Sequence, residues 1–141
     1  MITRIAAVLS LLLLQLSPSL AGPYWTPQKD TPERKAVMDA ARVPVEKDLG
    51  QAVIFRVEDL RVTDDWAFLN AEPLQPNGRP IDFSRTAYRE SVADGSFGGM
   101  AAVLLARAGD GWRVVTYSVG FSDLVWDTWD DEYGAPSSLF P

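Results

Sequence analysis

The side chains best equipped for chemistry crowd into one short run near the C-terminal end of this 141-residue chain. Trp126, Trp129 and Tyr133 recur at i, i+3 and i+7, which on a helix sets three large rings on one face. Asp123, Asp127 and Asp131 recur at i, i+4 and i+8 on a neighbouring face, with Asp130 and Glu132 beside them. The rings have two readings. They cover a sheet as core, each burying about 150–250 Å², or they wall a pocket where indoles stack on a sugar or an apolar guest. On the second reading Asp123, Trp126, Trp129 and Tyr133, joined by Tyr117 from the strand before, form the ligand-binding set.

The acidic stripe also has two readings, a solvated helix face or a seat for a hard cation such as calcium. Residues 127–132 lack the alternating oxygen ligands and the central glycine of an EF-hand loop, so no metal site is assigned. The chain has no histidine and no cysteine. That removes the commonest general base, the commonest transition-metal ligand, thiol nucleophiles, thiolate metal sites and disulfides. No catalytic residue is assigned and no cofactor is expected. A carboxylate pair such as Asp82 with Asp123 performs acid–base work only if the fold closes both into one pocket. Gly95-Ser96-Phe97-Gly98-Gly99 lacks the lysine of a phosphate loop and reads as a lead-in to the following strand. Arg56, Arg61, Arg107 and Arg113 read as solvated strand charges, with an anion-binding patch as the alternative.

The elements that position these groups follow from periodicity. Thr31-Pro32-Glu33 opens a helix with a hydroxyl cap, proline at the first helical position and an acid facing the dipole. Ala36, Val37, Ala40 and Ala41 give it one buried stripe, and Pro44 is expected to end or kink it before Gly50 closes the last turn. From Ala52 the period becomes two: Val53, Phe55 and Val57 point one way, Ile54, Arg56 and Glu58 the other. Thr63-Asp64-Asp65 turns the chain into a second strand, Trp66–Ala71, and residues 72–80 form a loop rich in proline. Ser84 is expected to cap a short helix with Ala87, Tyr88 and Val92 inside.

A hairpin then joins Met100–Ala108 to Trp112–Val119 through Gly109-Asp110-Gly111. Its first strand is apolar on both faces, so it needs a covering layer on each side or a partner chain. In the second, Trp112 and Val114 are expected on one face and Val115, Tyr117 and Val119 on the other. Ser122 caps a helix over Asp123–Glu132, ended by Gly134 and Pro136. The expected fold is α+β: an N-terminal helix, a four-stranded antiparallel sheet of hairpins, and a C-terminal helix packed on the sheet.

At the other end, Arg4 precedes an apolar block from Ile5 to Leu16, followed by small residues at Ser19 and Ala21. About 12 helical residues rise roughly 18 Å, too little for a hydrocarbon core of about 30 Å. Residues 1–21 therefore read as a secretory signal peptide cleaved after Ala21. No stable membrane insertion is expected after cleavage. Removing these 21 residues from 141 leaves 120 and takes Arg4 away, so the net charge of −6 becomes −7. That charge repels phosphate backbones and argues against nucleic acid as a partner. Residues 22–30 read as an extended arm that Tyr24 and Trp25 tack down, and 31–141 as a single domain.

Val57-Glu58-Asp59-Leu60-Arg61-Val62, Asp65-Trp66-Ala67-Phe68-Leu69, Gly111-Trp112-Arg113-Val114-Val115 and Gly120-Phe121-Ser122-Asp123-Leu124-Val125-Trp126 resemble a group of small exported proteins of Gram-negative bacteria. The resemblance implies a periplasmic or secreted location and brings no catalytic residues. At the level of fold, a helix followed by an antiparallel sheet is similar to the cystatin-like and NTF2-like folds, which host inhibitors, binding modules and enzymes. Gln51-Ala52-Val53-Ile54-Phe55 resembles the inhibitory Gln-x-Val-x-Gly segment, with Phe55 in the glycine's place and at a strand start. The first expectation is a non-catalytic binding or interaction protein of unidentified protein or small-molecule partner, with a homodimer as one way to cover the apolar strand. An NTF2-like pocket enzyme, with an aspartate as base and Tyr117 or Tyr133 as hydrogen-bond donor, is the alternative. A structural envelope component is the third.

Overall fold

The computed structural model describes residues 23–141. The leader and its cleavage point lie outside the described residues. Helix α1 runs Pro32–Leu49, followed by strands β1 (Ile54–Val62) and β2 (Trp66–Leu74). A 3-10 turn at Phe83–Arg85 and helix α2 (Arg89–Ala93) lead to β3 (Ala101–Ala108) and β4 (Gly111–Val119). The chain ends through a 3-10 turn at Val125–Thr128, helix α3 (Trp129–Tyr133) and a last 3-10 turn at Ser137–Leu139. The four strands form one antiparallel meander in the order β1-β2-β3-β4, so the fold is α+β as expected.

Thr31 caps α1 by accepting from the Arg34 amide, and Gly50 closes it at φ 64°, a left-handed conformation glycine adopts without penalty. The helix runs through Pro44 rather than stopping there. Proline inside a helix costs about 3 kcal/mol. The buried stripe Val37, Ala41, Val45 and Leu49 spans both sides of it, and each fully buried Val or Leu returns about 1.5–3 kcal/mol. Burial of Val45 and Leu49 therefore outweighs the break. The stripe keeps strict i, i+4 spacing, which leaves Ala36 exposed.

Two layers cover the sheet. On one face Val37, Ala41, Val45 and Leu49 of α1 pack on Leu60, Val62, Leu69, Ala101, Val103 and Leu105. On the other Phe68, Ala102 and Leu104 are covered by Trp126, Trp129, Ala135 and Leu139. The strand with no polar side, β3, is thus sheltered on both faces by its own chain, and a partner is not needed to hide it.

Both edge strands carry a bulge that changes the expected faces. In β1 the register shifts between Val57 and Asp59, so Phe55 and Val57 before it and Leu60 and Val62 after it all face α1. In β4 the partners of Leu104 and Leu105 are Thr116 and Val114, leaving Val115 as the extra residue. Val103 faces α1 and pairs with Tyr117, while Leu105 pairs with Val114. Trp112, Val114, Tyr117 and Val119 consequently share the α1 face, and Val115 packs under the C-terminal segment. The β3–β4 turn is tighter than expected: Gly111 already pairs with Ala108, and only Gly109 has positive φ, at 58°.

Three local expectations change. Asp82, not Ser84, caps the turn at Phe83, because its carboxylate accepts from both the Ser84 amide and hydroxyl. Ala87 and Val92 are exposed, whereas Tyr88 packs inward. The helix expected over Asp123–Glu132 is a 3-10 turn followed by the five-residue α3, neither capped by a side chain. The arm is tacked down as expected. Trp25 and Val62 exchange backbone hydrogen bonds of 2.8 Å each, Trp25 Nε1 donates to Glu33, and Arg61 lies 4.4 Å above the Tyr24 ring.

Candidate functional site

The five residues expected to form one ligand site fall in four places. Trp126 and Trp129, 6% and 4% exposed, sit in the second core, edge-on to Phe68 at centroid distances of 5.2 and 6.4 Å. They cover the sheet. Tyr133 belongs to the same sequence stripe but ends the five-residue α3 and is 38% exposed. Asp123 is exposed and lines a small cleft of about 470 Å³ with Phe97, Met100 and Phe121. Tyr117 lies on the opposite, α1-facing side of the sheet. Asp82, spent on its cap, is not among the residues lining that cleft. Among the described residues no three carboxylates converge into a set able to hold a metal ion.

Tyr117 has company that the sequence did not announce. Asp48, near the end of α1, accepts from the Tyr88 hydroxyl, which lies 2.8 and 3.0 Å from its two oxygens. Partial burial, and then the Asp48 carboxylate, push the Tyr88 phenol up to about 12. Tyr117 is raised by the same two causes, although it makes no well-formed hydrogen bond to Asp48. The cluster clamps the segment before α2 to α1. Neither of the two clefts described here is lined by it.

A larger concave surface than the Asp123 cleft lies elsewhere. A groove of about 770 Å³ runs between the N-terminal half of α1 and the start of β1. Its floor is Met38, Phe55 and Val57, which are half-buried against the core, and Ile54 stands exposed at its mouth. Helix α1 packs chiefly over β4 and β3, so the inner face of β1 is left partly open. The i, i+4 geometry of α1 brings Arg34, Lys35, Met38 and Arg42 onto the flank facing this opening, and Lys29 stands at its end.

The groove is cationic in an acidic chain. Lys29, Arg34, Lys35 and Arg42 line it against only Asp30 and Asp39, whereas the whole chain carries a net charge of −6. Asp39 accepts from Lys35 and, at 2.7 Å, from Arg42 Nη1, and these two hydrogen bonds hold its carboxyl below the usual range. Arg34 Nη1 donates to the Pro27 carbonyl at 2.9 Å, which fixes the arm over the helix start. Arg42 Nε is buried with no acceptor among the described residues. A buried donor left unpaired costs about 1–3 kcal/mol, a cost that an acceptor brought by a ligand would remove.

Along the chain these cations look like ordinary solvated helix charges, and Phe55 and Val57 look like one face of a strand. Only the fold sets residues 29–42 beside 54–57. No protein family, no curated protein and no solved structure matches the chain.

Proposed function

We propose that the chain is an exported, non-catalytic binding protein whose ligand lies in the groove between α1 and β1. The supporting observation is the union of an apolar floor, Met38, Phe55 and Val57, with a rim of Arg34, Lys35 and Arg42 in a protein that is otherwise acidic. Such a surface suits a ligand with an anionic group and an apolar body. The absence of histidine and cysteine from the whole chain favours binding over turnover. Export rests on the leader-like residues 1–21. An exported species whose intact mass begins at Gly22 would support that part, and one still beginning at Met1 would oppose it. The groove is tested by thermal shift and titration calorimetry of the exported protein with small carboxylates, anionic amphiphiles and sugars. Anionic ligands should raise the melting temperature, and Arg42→Met should weaken them at least tenfold. Ligands that act equally on both proteins would remove the groove as the site.

One observation favours a second reading, an enzyme that uses a carboxylate beside Tyr117. Asp48 stands there and is held by Tyr88. Its oxygens already face a phenol, and a general base needs a free lone pair within reach of substrate. Turnover of any substrate that persists in Asp48→Asn would end this reading.

A further inference from the structure

β1 is an edge of the sheet, and the chain already adds a strand to one end of it. Trp25 pairs antiparallel with Val62, donating and accepting at 2.8 Å, and Thr26 Oγ1 donates to the Leu60 carbonyl at 2.7 Å. The outward backbone groups of Val62 and the carbonyl of Leu60 are therefore engaged. Beyond Pro27 the arm leaves the edge for α1, and among the described residues no strand lies on the outer side of the first half of β1.

The sheet fixes which groups face outward there. Gln75 N donates to the Arg79 carbonyl in the bridge between Leu74 and Pro80, so the backbone of Pro73 turns away from β1. Glu72 and Leu74 then face Arg56 and Ile54, their partners in the ladder. By the same alternation Phe55 and Val57 turn their N–H and C=O groups to the open edge. Their side chains form the floor of the groove. Backbone donors and acceptors, the apolar side chains of Phe55 and Val57, and a cationic wall thus coincide on one short stretch.

We infer that the groove's occupant is an extended acidic peptide segment, which adds to β1 as a strand along Phe55–Val57 and directs carboxylates at Arg34 and Arg42. This inference rests on the groove reading above and names its ligand. Main-chain pairing supplies affinity in such strand addition, and alternate side chains supply specificity. Residues at i and i+2 of the incoming segment lie on the α1 side. A segment alternating acids on that side with small apolar residues on the other is the sequence that fits.

The test uses the exported protein and four eight-residue peptides: one alternating glutamate and valine, its lysine–valine counterpart, a version with the glutamates gathered in one block, and the alternating peptide N-methylated at every second residue. Amide hydrogen exchange is followed at Phe55 and Val57. The glutamate–valine peptide should bind at least tenfold more tightly than the other three and slow exchange at both amides at least tenfold. Arg42→Met should weaken it at least tenfold. Equal binding of the N-methylated peptide, unchanged exchange at Phe55 and Val57, or no binding at millimolar peptide would overturn the inference. If dodecanoate binds and loses affinity in Arg42→Met while no peptide binds, the groove reading stands and the strand-addition inference fails. If neither binds, both fail.

Discussion

The Tyr88 hydroxyl is held within 2.8 and 3.0 Å of the two carboxylate oxygens of Asp48, joining residues forty positions apart. Through this one contact the segment before α2, which has little helix of its own, is anchored to the last turn of α1. Phe97 extends the anchor by packing against Tyr88 at a centroid distance of 5.2 Å.

The Tyr88–Asp48 contact sets an alkaline limit on stability. The folded phenol is pushed up to about 12, while in the unfolded chain it keeps its ordinary value near 10. Below pH 10 both states hold the proton and the contact contributes fully. As the pH rises from about 10 to about 12 the unfolded chain gives up its proton first, so stability falls through that window. Tyr88→Phe should cost roughly 1–2 kcal/mol at neutral pH and should flatten the decline above pH 10. Urea melts of both proteins across pH 7–11.5 check this; parallel curves would show that Tyr88 does not carry the dependence.

The two tryptophans of the C-terminal segment should behave as core and the tyrosine as surface. Trp129→Ala removes a ring packed on Phe68 and Phe140 and should cost about 3–5 kcal/mol. Tyr133→Ala should cost less than about 0.5 kcal/mol, as surface changes usually do. Similar losses from both, in the same chemical melt, would restore a continuous aromatic helix face.

Gly120 and Gly78 share the left-handed backbone, at φ 75° and 82°, but not the space around it. A Cβ on Gly120 would lie 1.9 Å from Phe97 Cε2, whereas one on Gly78 would meet nothing within 4 Å. Gly78→Ala should therefore cost about 1 kcal/mol for backbone strain alone. Gly120→Ala adds a displaced ring and should cost about 3 kcal/mol. Thermal unfolding of the pair separates strain from collision, and equal melting temperatures would contradict the packing.

Pro44 lies within an intact helix and cannot donate to the Ala40 carbonyl. Its replacement by alanine restores a helical residue worth about 3 kcal/mol and gives back about 1 kcal/mol of unfolded-chain entropy. Pro44→Ala should raise stability by about 2 kcal/mol. A melting temperature that drops would mean that α1 needs the ring at this position.

The sheet was legible in the sequence because β1 declares itself by a period of two, β3 by an unbroken apolar run, and the β1–β2 and β3–β4 hairpins by their turn residues. Gly109-Asp110 and Thr63-Asp64-Asp65 mark their turns, and β3 announces two covered faces by having no polar side. The bulges were not legible. An extra residue in an apolar strand leaves composition unchanged, and only cross-strand pairing shows that Tyr117 has joined Trp112 on the α1 face. The C-terminal run misled for a related reason. Its spacing of i, i+3 and i+7 fits one long helix, but a 3-10 turn and the five-residue α3 stand in its place, and Tyr133 at the end of α3 is exposed. The groove was hidden because its parts lie apart in the chain and resemble solvated charges until α1 and β1 meet. Asp48 was hidden because an acid on a helix flank gives no sign of a phenol forty residues away.

The unpaired position in β4 is one that the ladder can spare. Another residue in place of Val115 would leave the strand in step. Losing the position altogether would make Val114, Thr116 and Tyr117 consecutive, each still opposite its present partner, Leu105, Leu104 or Val103. Only the side chain that Val115 tucks under the C-terminal segment would be missing. Evolution can shorten this strand by one residue here and keep Tyr117 and Val119 under α1, whereas the loss of a second would turn them toward the layer built on Phe68.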